Sequence, residues 1–146
     1  MHPYPRHYIA TAHGGPEGLT VAASPGLADI ACAPPPKFDG PEGQWSPETL
    51  LLAAVADCFI LTFRAIARAS KLEWTALSCR VEGTLERVGN QSRFTRYVTH
   101  AQLTLPAGGD ASRATLLLEK AEAGCLVANS LNGDRVLITD VVIAAA

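Results

Sequence analysis

The most apolar stretch of the chain covers residues 50–63, and it lies inside a predicted helix. Ser46, Pro47 and Glu48 form a helix start: a serine caps free N–H groups, proline fits the first helical position, and an acid favours the positive end of the helix dipole. Apolar or small residues then recur every three or four positions, which predicts a helix to about Lys71 with one buried stripe. That stripe consists of Leu51, Ala54, Val55, Cys58, Leu61, Thr62, Ala65 and Ala69.

The segment before the helix contains short apolar runs at residues 7–12, 19–23 and 27–32, separated by glycine and proline. Such punctuation predicts three strands joined by hairpin turns. Residues 33–45 contain repeated proline and glycine, which disfavour helices and central strands, so this segment is predicted to be a loop.

After the helix, polar and apolar residues alternate over 73–88 and again over 93–105. The turn residues Gly89-Asn-Gln-Ser92 lie between these two segments, and the pattern therefore predicts a long β-hairpin.

The last third of the chain predicts a second helix over about 113–123, capped by Asp110 and ended by Gly124. Residues 125–131 are predicted to add a short helical turn, and residues 135–143 a final strand. Strands grouped around two helices, without regular alternation, are typical of an α+β fold with a largely antiparallel sheet. The long helix is expected to cover one face of that sheet.

Composition limits the class of protein. A chain of 146 residues has the length of one domain, which we predict to span residues 1–146. Its 48% hydrophobic and 18% charged residues exclude disorder and leave apolar surface for a partner subunit. The net charge is −2 and the basic residues are scattered, so we expect no nucleic-acid partner.

The N-terminus lacks the apolar core of a signal peptide, and the apolar run around Cys58 is too short to span a bilayer. We therefore expect a cytoplasmic protein with no membrane contact. Its four cysteines form no C-x-x-C motif and no pair with histidine at metal-ligand spacing, so no metal site is predicted. In a reducing compartment each thiol is first expected to be a small buried hydrophobe. Cys32 and Cys79 are predicted to be such residues, in strands.

Two segments carry a family resemblance. Residues 45–59 read Trp-Ser-Pro-Glu-Thr-Leu-Leu-Leu-Ala-Ala-Val-Ala-Asp-Cys-Phe, and residues 125–131 read Cys-Leu-Val-Ala-Asn-Ser-Leu before the last strand. Together with the hairpin between them, they resemble the OsmC/Ohr family of thiol-dependent hydroperoxide reductases over nearly the whole chain. The most specific features are the Pro-Glu pair ten residues before the helical cysteine and the second cysteine at the head of a short helix.

The resemblance implies an OsmC-like intertwined homodimer of α+β subunits with its active site at the subunit interface. It also implies that Cys58 is the peroxidatic cysteine, that Cys125 resolves its sulfenic acid as a disulfide, and that Glu48 is the active-site glutamate. The substrate would be an organic hydroperoxide, the reductant an external dithiol such as a lipoylated protein, and no cofactor would be needed.

One departure from the family pattern concerns an arginine that the family usually carries in its N-terminal hairpin turn, where it pairs with the glutamate. The corresponding turn here reads Gly14-Gly-Pro-Glu-Gly18, with Pro16 at the arginine position. Two functions therefore remain open: an active peroxidase, or an OsmC-like small-molecule binding or stress protein with weak or no peroxidase activity.

Chemistry at Cys58 requires a stabilised thiolate, because a thiol on an apolar helix face ionises with difficulty unless a cation or hydrogen-bond donor is near. If no such group is present, Cys58 is an ordinary core residue. Sequence alone does not place the candidate cations, which are Arg6, Arg64, Arg68, Arg93 and Arg96.

The spacing of Glu48 and Cys58 gives a geometric expectation. Ten residues of straight helix separate them by roughly 15 Å, which is too far for contact. If both serve one site, Glu48 of one chain is expected near Cys58 of the partner subunit. The alternative is that Glu48 only stabilises the helix start.

Overall fold

Turn residues divide the N-terminal part of the chain into three short strands. In the computed structural model, which describes residues 2–146, they form an antiparallel sheet in the order β1-β2-β3. This confirms the three strands and their hairpins, although the first strand begins at Thr11 and not at residue 7. Residues 1–51 form one compact unit and residues 52–146 a second one, and each is described by itself. The strands are β1 (Thr11–His13), β2 (Thr20–Ala23) and β3 (Ile30–Cys32).

The segment predicted to be a featureless loop contains one turn of 3-10 helix, Pro36–Phe38. A single turn needs few hydrogen bonds: the Phe38 N–H donates to the Pro35 carbonyl at 2.8 Å, and proline supplies the required φ at its start. Gly40 cannot be replaced easily, since an added Cβ would lie 1.8 Å from the Pro34 carbonyl oxygen. Recurrent proline thus prevents a long helix here but permits a short one.

Helix α1 spans Pro47–Ala69. Its predicted cap is confirmed, because the Ser46 hydroxyl accepts a hydrogen bond from the Thr49 N–H at 3.2 Å. The helix ends two residues before the predicted Lys71, which adopts a positive φ of 55°.

Of the predicted buried stripe of α1, Val55 is buried and Leu51, Cys58 and Thr62 are half-buried, but the other four members are exposed, so that part of the prediction is wrong. Leu61 is 49% exposed, and Ala54, Ala65 and Ala69 are exposed as well. Because α1 is apolar on nearly all sides, its periodicity does not select one face, and the bulky phenylalanines take the core side. The buried stripe is Val55, Phe59, Phe63 and Ala67.

The apolar run at residues 50–63 was expected to be too short to span a bilayer, but the helix that contains it is longer than the run. Helix α1 has 23 residues and a mean hydropathy of 2.0 over its most apolar window, enough by length and composition to cross a membrane. A core helix of a soluble protein meets the same criterion. Phe59 and Phe63 of α1 are fully buried in the protein core, as such a helix requires.

The second sheet has the order β4-β5-β6. Strands β4 and β5 form the predicted antiparallel hairpin, with an irregularity between Thr84 and Leu85. Strands β5 and β6 pair in parallel, because helices carry the chain back to the same end of the sheet between them. The strands are β4 (Ala76–Val88), β5 (Gln91–Leu105) and β6 (Asp134–Ile143).

The connection between β5 and β6 contains helices α2 (Ala111–Gly124) and α3 (Leu126–Asn129). Asp110 caps α2 as predicted, since its carboxylate accepts the Arg113 N–H at 3.0 Å. The C-terminal half of α1, the inner face of the second sheet and α2 share one core. Its fully buried members include Phe59, Phe63, Ala67, Leu103, Leu105, Ala114, Leu118 and Ala121.

Candidate functional site

Cys58 and Cys125 belong to one small hydrophobic cluster in the unit formed by residues 52–146. Cys125, Val55 and Ala128 are buried in it, and Cys58 packs against them. The Cys125 Sγ atom lies 3.9 Å from the carbonyl oxygen of Val55, on the same helix as Cys58. Both thiols are free. The two cysteines singled out in the sequence are therefore neighbours in the fold.

Cys125 lies at the junction of two helices. It follows the last residue of α2 and occupies the N-cap position of α3, in an extended conformation with φ −66° and ψ 103°. The side chain is fully buried. Burial is the main reason that the pKa of Cys125 is raised to about 11; the nearby Cys58 thiol and the Glu122 carboxylate add to the increase, and the Ala128 N–H opposes it. At neutral pH Cys125 is therefore a protonated thiol.

Cys58 is half-buried at the edge of a surface cleft. Its Sγ lies 3.9 Å from the hydroxyl oxygen of Thr62, which is one turn further along α1 and donates to the Cys58 carbonyl at 2.7 Å. The cleft has a volume of about 470 Å³. Its other lining residues are Ala54, Asp57, Leu61, Leu126 and Val127.

Two of the candidate arginines, Arg6 and Arg93, contact groups other than Cys58. Arg6 donates to the His2 carbonyl and lies over the Tyr4 ring at 4.3 Å. Arg93 donates to the neighbouring Phe94 carbonyl. Within residues 2–146, no hydrogen bond or ion pair joins any of the five candidate arginines to Cys58.

Glu48 lies in the unit formed by residues 1–51, in the first turn of α1. It lines a mainly apolar cavity of about 420 Å³ together with Thr20, Ala33, Pro34, Pro35, Phe38 and Pro47. Its Oε2 atom is buried and accepts no hydrogen bond from any residue in the range 2–146. A buried carboxylate oxygen without a donor is unfavourable, so this position costs more than that of a solvent-exposed acid at a helix start.

Cys32 and Cys79 lie in strands as predicted. Cys32 ends β3 and is 4% exposed. Cys79 is half-buried in β4, and its pKa is raised to about 12 by burial, with the charges of Glu122 and Cys125 adding to the effect. Cys79 thus lies near Cys125, a relationship that the alternation of β4 does not reveal.

Sequence reasoning missed an ionic cluster next to Cys125. Arg135 on β6 donates from Nε to Glu122 Oε1 at 2.9 Å and from Nη1 to Asn129 Oδ1 at 2.6 Å. Its Nη2 also donates to the Glu122 carbonyl. Nothing local marks Arg135, because its partners lie on α2 and α3. The spacing of Thr62 from Cys58, four residues along a helix, is by contrast a signal that the sequence contains.

Among residues 2–146, no group of three or more histidine, cysteine or acidic side chains is arranged to hold a metal ion. The groups that the cleft presents include the Cys58 thiol, the Thr62 hydroxyl and apolar walls.

The sequence matches one known protein family. The sequence model of a family described as OsmC-like protein matches residues 40–139. An uncharacterized protein of Bacillus subtilis, YmaD, is 27% identical over 103 residues, which are 68% of this chain and 69% of that protein.

Two solved structures share the fold. An OsmC-like protein of unknown function from Vibrio cholerae superposes with a TM-score of 0.82 at 16% identity, covering 94% of this chain and 100% of that one. An organic hydroperoxide resistance protein, OsmC, from Legionella pneumophila superposes with a TM-score of 0.75 at 27% identity, covering 96% of this chain and 99% of that one. The predicted α+β architecture with a long helix is confirmed.

Proposed function

This chain belongs to the OsmC-like protein family, and we therefore propose that it is a thiol-dependent peroxidase that reduces organic hydroperoxides. One observation carries the proposal. A half-buried thiol, Cys58, lines an apolar cleft, and a second thiol, Cys125, lies in the same hydrophobic cluster. The similarity to an organic hydroperoxide resistance protein at 27% identity supports the same activity.

The proposed reaction begins at Cys58. Its thiolate attacks one oxygen of the hydroperoxide, the O–O bond breaks, and the leaving alkoxide takes up a proton to become an alcohol. Cys58 is thereby oxidised to a sulfenic acid. The Cys125 sulfur then attacks the Cys58 sulfur, forms a disulfide and releases water.

An external dithiol completes the proposed cycle. It reduces the disulfide to the two cysteine thiols and is itself oxidised to a cyclic disulfide, as the dithiol of a lipoylated protein is. Cys125 is fully buried, so the reductant is expected to attack the Cys58 sulfur, which is half-buried. All four cysteines are free thiols in the structure, which is the reduced state from which this cycle starts.

The walls of the cleft support an organic rather than an inorganic peroxide. Leu61, Leu126 and Val127 offer apolar contact for an alkyl or aryl tail. The Thr62 hydroxyl and Asp57 provide polar atoms beside the thiol, where the O–O group would lie. Hydrogen peroxide has no tail to gain from such walls.

We further propose that the functional unit is a homodimer. Part of α1 is exposed although it is apolar, and Leu61 on it is 49% exposed. In the unit formed by residues 1–51, the three strands are short and largely exposed, and Trp45 is 51% exposed. Small sheets with so much apolar surface need a partner to be stable.

The dimer also offers a role for Glu48. Its buried Oε2 atom lacks a donor within the described chain, and about 15 Å of helix separates Glu48 from Cys58 of its own chain. We propose that Glu48 of one protomer serves the site that contains Cys58 of the partner subunit. There it would orient the peroxide or a donor that replaces the family arginine.

A second candidate function follows from Pro16. With no arginine in the turn and no described cation at Cys58, the thiolate would be poorly stabilised, and the chain would be an OsmC-like binding or stress protein with weak peroxidase activity.

The deciding experiment is consumption of cumene hydroperoxide with dihydrolipoamide as reductant, with the Cys58→Ser protein as the matched control. Consumption of the hydroperoxide by the native chain, but not by Cys58→Ser, would support the peroxidase proposal. Equal rates for both proteins would end that proposal and favour the second candidate, which is then tested by the rate of Cys58 alkylation as a function of pH.

A further inference from the structure

Arg135 joins the three elements that surround Cys125. It extends from β6 and donates to the side chain and the main-chain carbonyl of Glu122, in the last turn of α2. It also donates to the side-chain oxygen of Asn129 at the end of α3, at 2.6 Å. The guanidinium group therefore uses three of its donors on residues that lie before and after Cys125.

The residues that Arg135 holds are also bonded to the backbone of Cys125. The Cys125 N–H donates to the Glu122 carbonyl at 3.4 Å, and the Asn129 N–H donates to the Cys125 carbonyl at 2.9 Å. The Asn129 side chain in turn donates to the Ala123 carbonyl at 3.0 Å. The turn that carries the thiol is thus fixed on both sides by one cation.

The same cation balances a nearby negative charge. The Glu122 carboxylate adds to the raised pKa values of Cys125 and Cys79, so it opposes a thiolate at this position. The Arg135 and Glu122 side chains are only 25% and 17% exposed, and solvent therefore screens their ion pair weakly. Without Arg135, the charge of the half-buried Glu122 carboxylate near Cys125 would be uncompensated.

We propose that Arg135 is a positioning residue for the resolving cysteine, fixing the α2-α3 turn and neutralising Glu122 so that Cys125 can exchange disulfides with Cys58. This inference rests on the proposed function, because it concerns the second thiol of the same site. Arg135 lies outside the cleft and acts only through Glu122 and Asn129.

Two steps depend on this arrangement. Disulfide formation requires the Cys125 sulfur to meet the oxidised Cys58 sulfur without unfolding of the turn. Reduction requires Cys125 to leave as a thiolate when the dithiol attacks Cys58, and that negative sulfur forms close to Glu122. Loss of Arg135 is expected to slow both steps and to leave the first reaction of Cys58 unchanged.

The test uses the full chain with Arg135→Met, Arg135→Lys, Glu122→Gln and the double variant Arg135→Met/Glu122→Gln. Arg113→Met is the matched control, because Arg113 also donates to a main-chain carbonyl, that of Ser70, but lies at the other end of α2. Oxidised lipoamide drives disulfide formation without peroxide, and peptide mapping measures the Cys58–Cys125 crosslink over time. Alkylation of Cys58 with iodoacetamide is the second readout, and thermal unfolding identifies variants that fail to fold.

Arg135→Met is expected to form the crosslink about tenfold more slowly than the native chain, with Cys58 alkylation unchanged. Glu122→Gln in the Arg135→Met background should restore part of the crosslinking rate. Arg135→Lys should crosslink at a rate between those of Arg135→Met and the native chain, because lysine keeps the positive charge but not the forked donor geometry of the guanidinium group. A merely structural role would lower the unfolding temperature without rescue by Glu122→Gln.

Crosslinking by Arg135→Met or Arg135→Lys at the native rate would overturn the inference, as would an equal loss in Arg113→Met. These outcomes are distinct from failure of the proposed function, which would appear as no consumption of cumene hydroperoxide by the native chain while the lipoamide-driven crosslink still formed.

Discussion

The Cys125 sulfur lies 3.9 Å from the carbonyl oxygen of Val55, about one helical turn before Cys58 on α1. A residue from the α2-α3 junction is thereby brought to the helix that carries the proposed peroxidatic thiol. The same small cluster contains both cysteines.

One equivalent of cumene hydroperoxide should convert the native chain to a form with a Cys58–Cys125 disulfide, because the two thiols already share a cluster. Peptide mapping without reductant checks this result. Cys125→Ser should instead stop at the Cys58 sulfenic acid with one equivalent and accumulate sulfinic acid only with excess hydroperoxide, since no resolving thiol remains. Cys32→Ser is the control and should crosslink normally; a crosslink that required Cys32 would contradict the assignment.

Stability should fall at alkaline pH. The folded-state pKa of Cys125 is raised to about 11, whereas the unfolded thiol ionises near pH 8.5, so the folded state retains a proton that the unfolded state loses. The stabilisation is complete below about pH 8.5 and is lost as the pH rises towards 11, at about 1.4 kcal/mol per pH unit for one thiol.

Urea unfolding at pH 8 and pH 10 measures this loss. Cys125→Ala should show a smaller decrease in unfolding free energy between the two pH values than the native chain. Cys79→Ala is the second comparison, since the Cys79 pKa is also raised, to about 12. An unfolding free energy that rises from pH 8 to pH 10 would contradict the assignment.

Glu48 and Cys58 are expected to act across the dimer. Cys58→Ser and Glu48→Gln proteins should each be inactive or nearly so, but mixing them under subunit exchange should recover activity. In a heterodimer, one site then combines an intact Glu48 with an intact Cys58 of the partner subunit, giving about a quarter of native activity at random mixing.

Peroxidase assays of the mixture, with sedimentation to follow exchange, measure this recovery. Activity that stays at the sum of the two separate proteins would place both residues in one chain. A monomer in sedimentation would remove the dimer proposal altogether.

The exposed part of α1 should be an interface. Leu61→Glu introduces a charge at a site that is 49% exposed in the single chain, so it should leave the monomer fold intact and promote dissociation of the dimer. Analytical ultracentrifugation measures dissociation and circular dichroism measures folding. Leu116→Glu is the matched control, because Leu116 is 59% exposed on α2; dissociation by both variants alike would contradict a specific α1 interface.

Phe63→Ala should destabilise the fold by about 3–5 kcal/mol, since Phe63 is fully buried and packs edge-to-face on Trp74 with ring centroids 5.4 Å apart. Chemical denaturation gives the loss. Leu116→Ala should change stability by well under 1 kcal/mol, because its side chain is exposed. Equal losses of unfolding free energy in the two variants would contradict the placement of Phe63 in the core.

Local signals predicted much of this fold. Ser46 and Asp110 cap the two long helices as expected, because a cap depends only on residues within a turn of it. The hairpin of β4 and β5 follows from alternation around Gly89, which adopts a φ of 63° in the turn. The candidate cysteines were also found from the chain alone, since thiols on a helix and at a helix start stand out among apolar neighbours.

What depends on distant residues was not predictable. Neighbouring side chains and backbone preferences are enough to indicate the approximate positions of helices and strands, the turns that join them, and the thiols that merit attention. Packing between distant elements turns Phe59 and Phe63 towards the core, since a helix apolar on nearly all sides has no single preferred face. The packing of the fold has a second consequence. It also decided that Arg135 meets Glu122, because the packing of β6 against α2, not sequence spacing, brings their charges together.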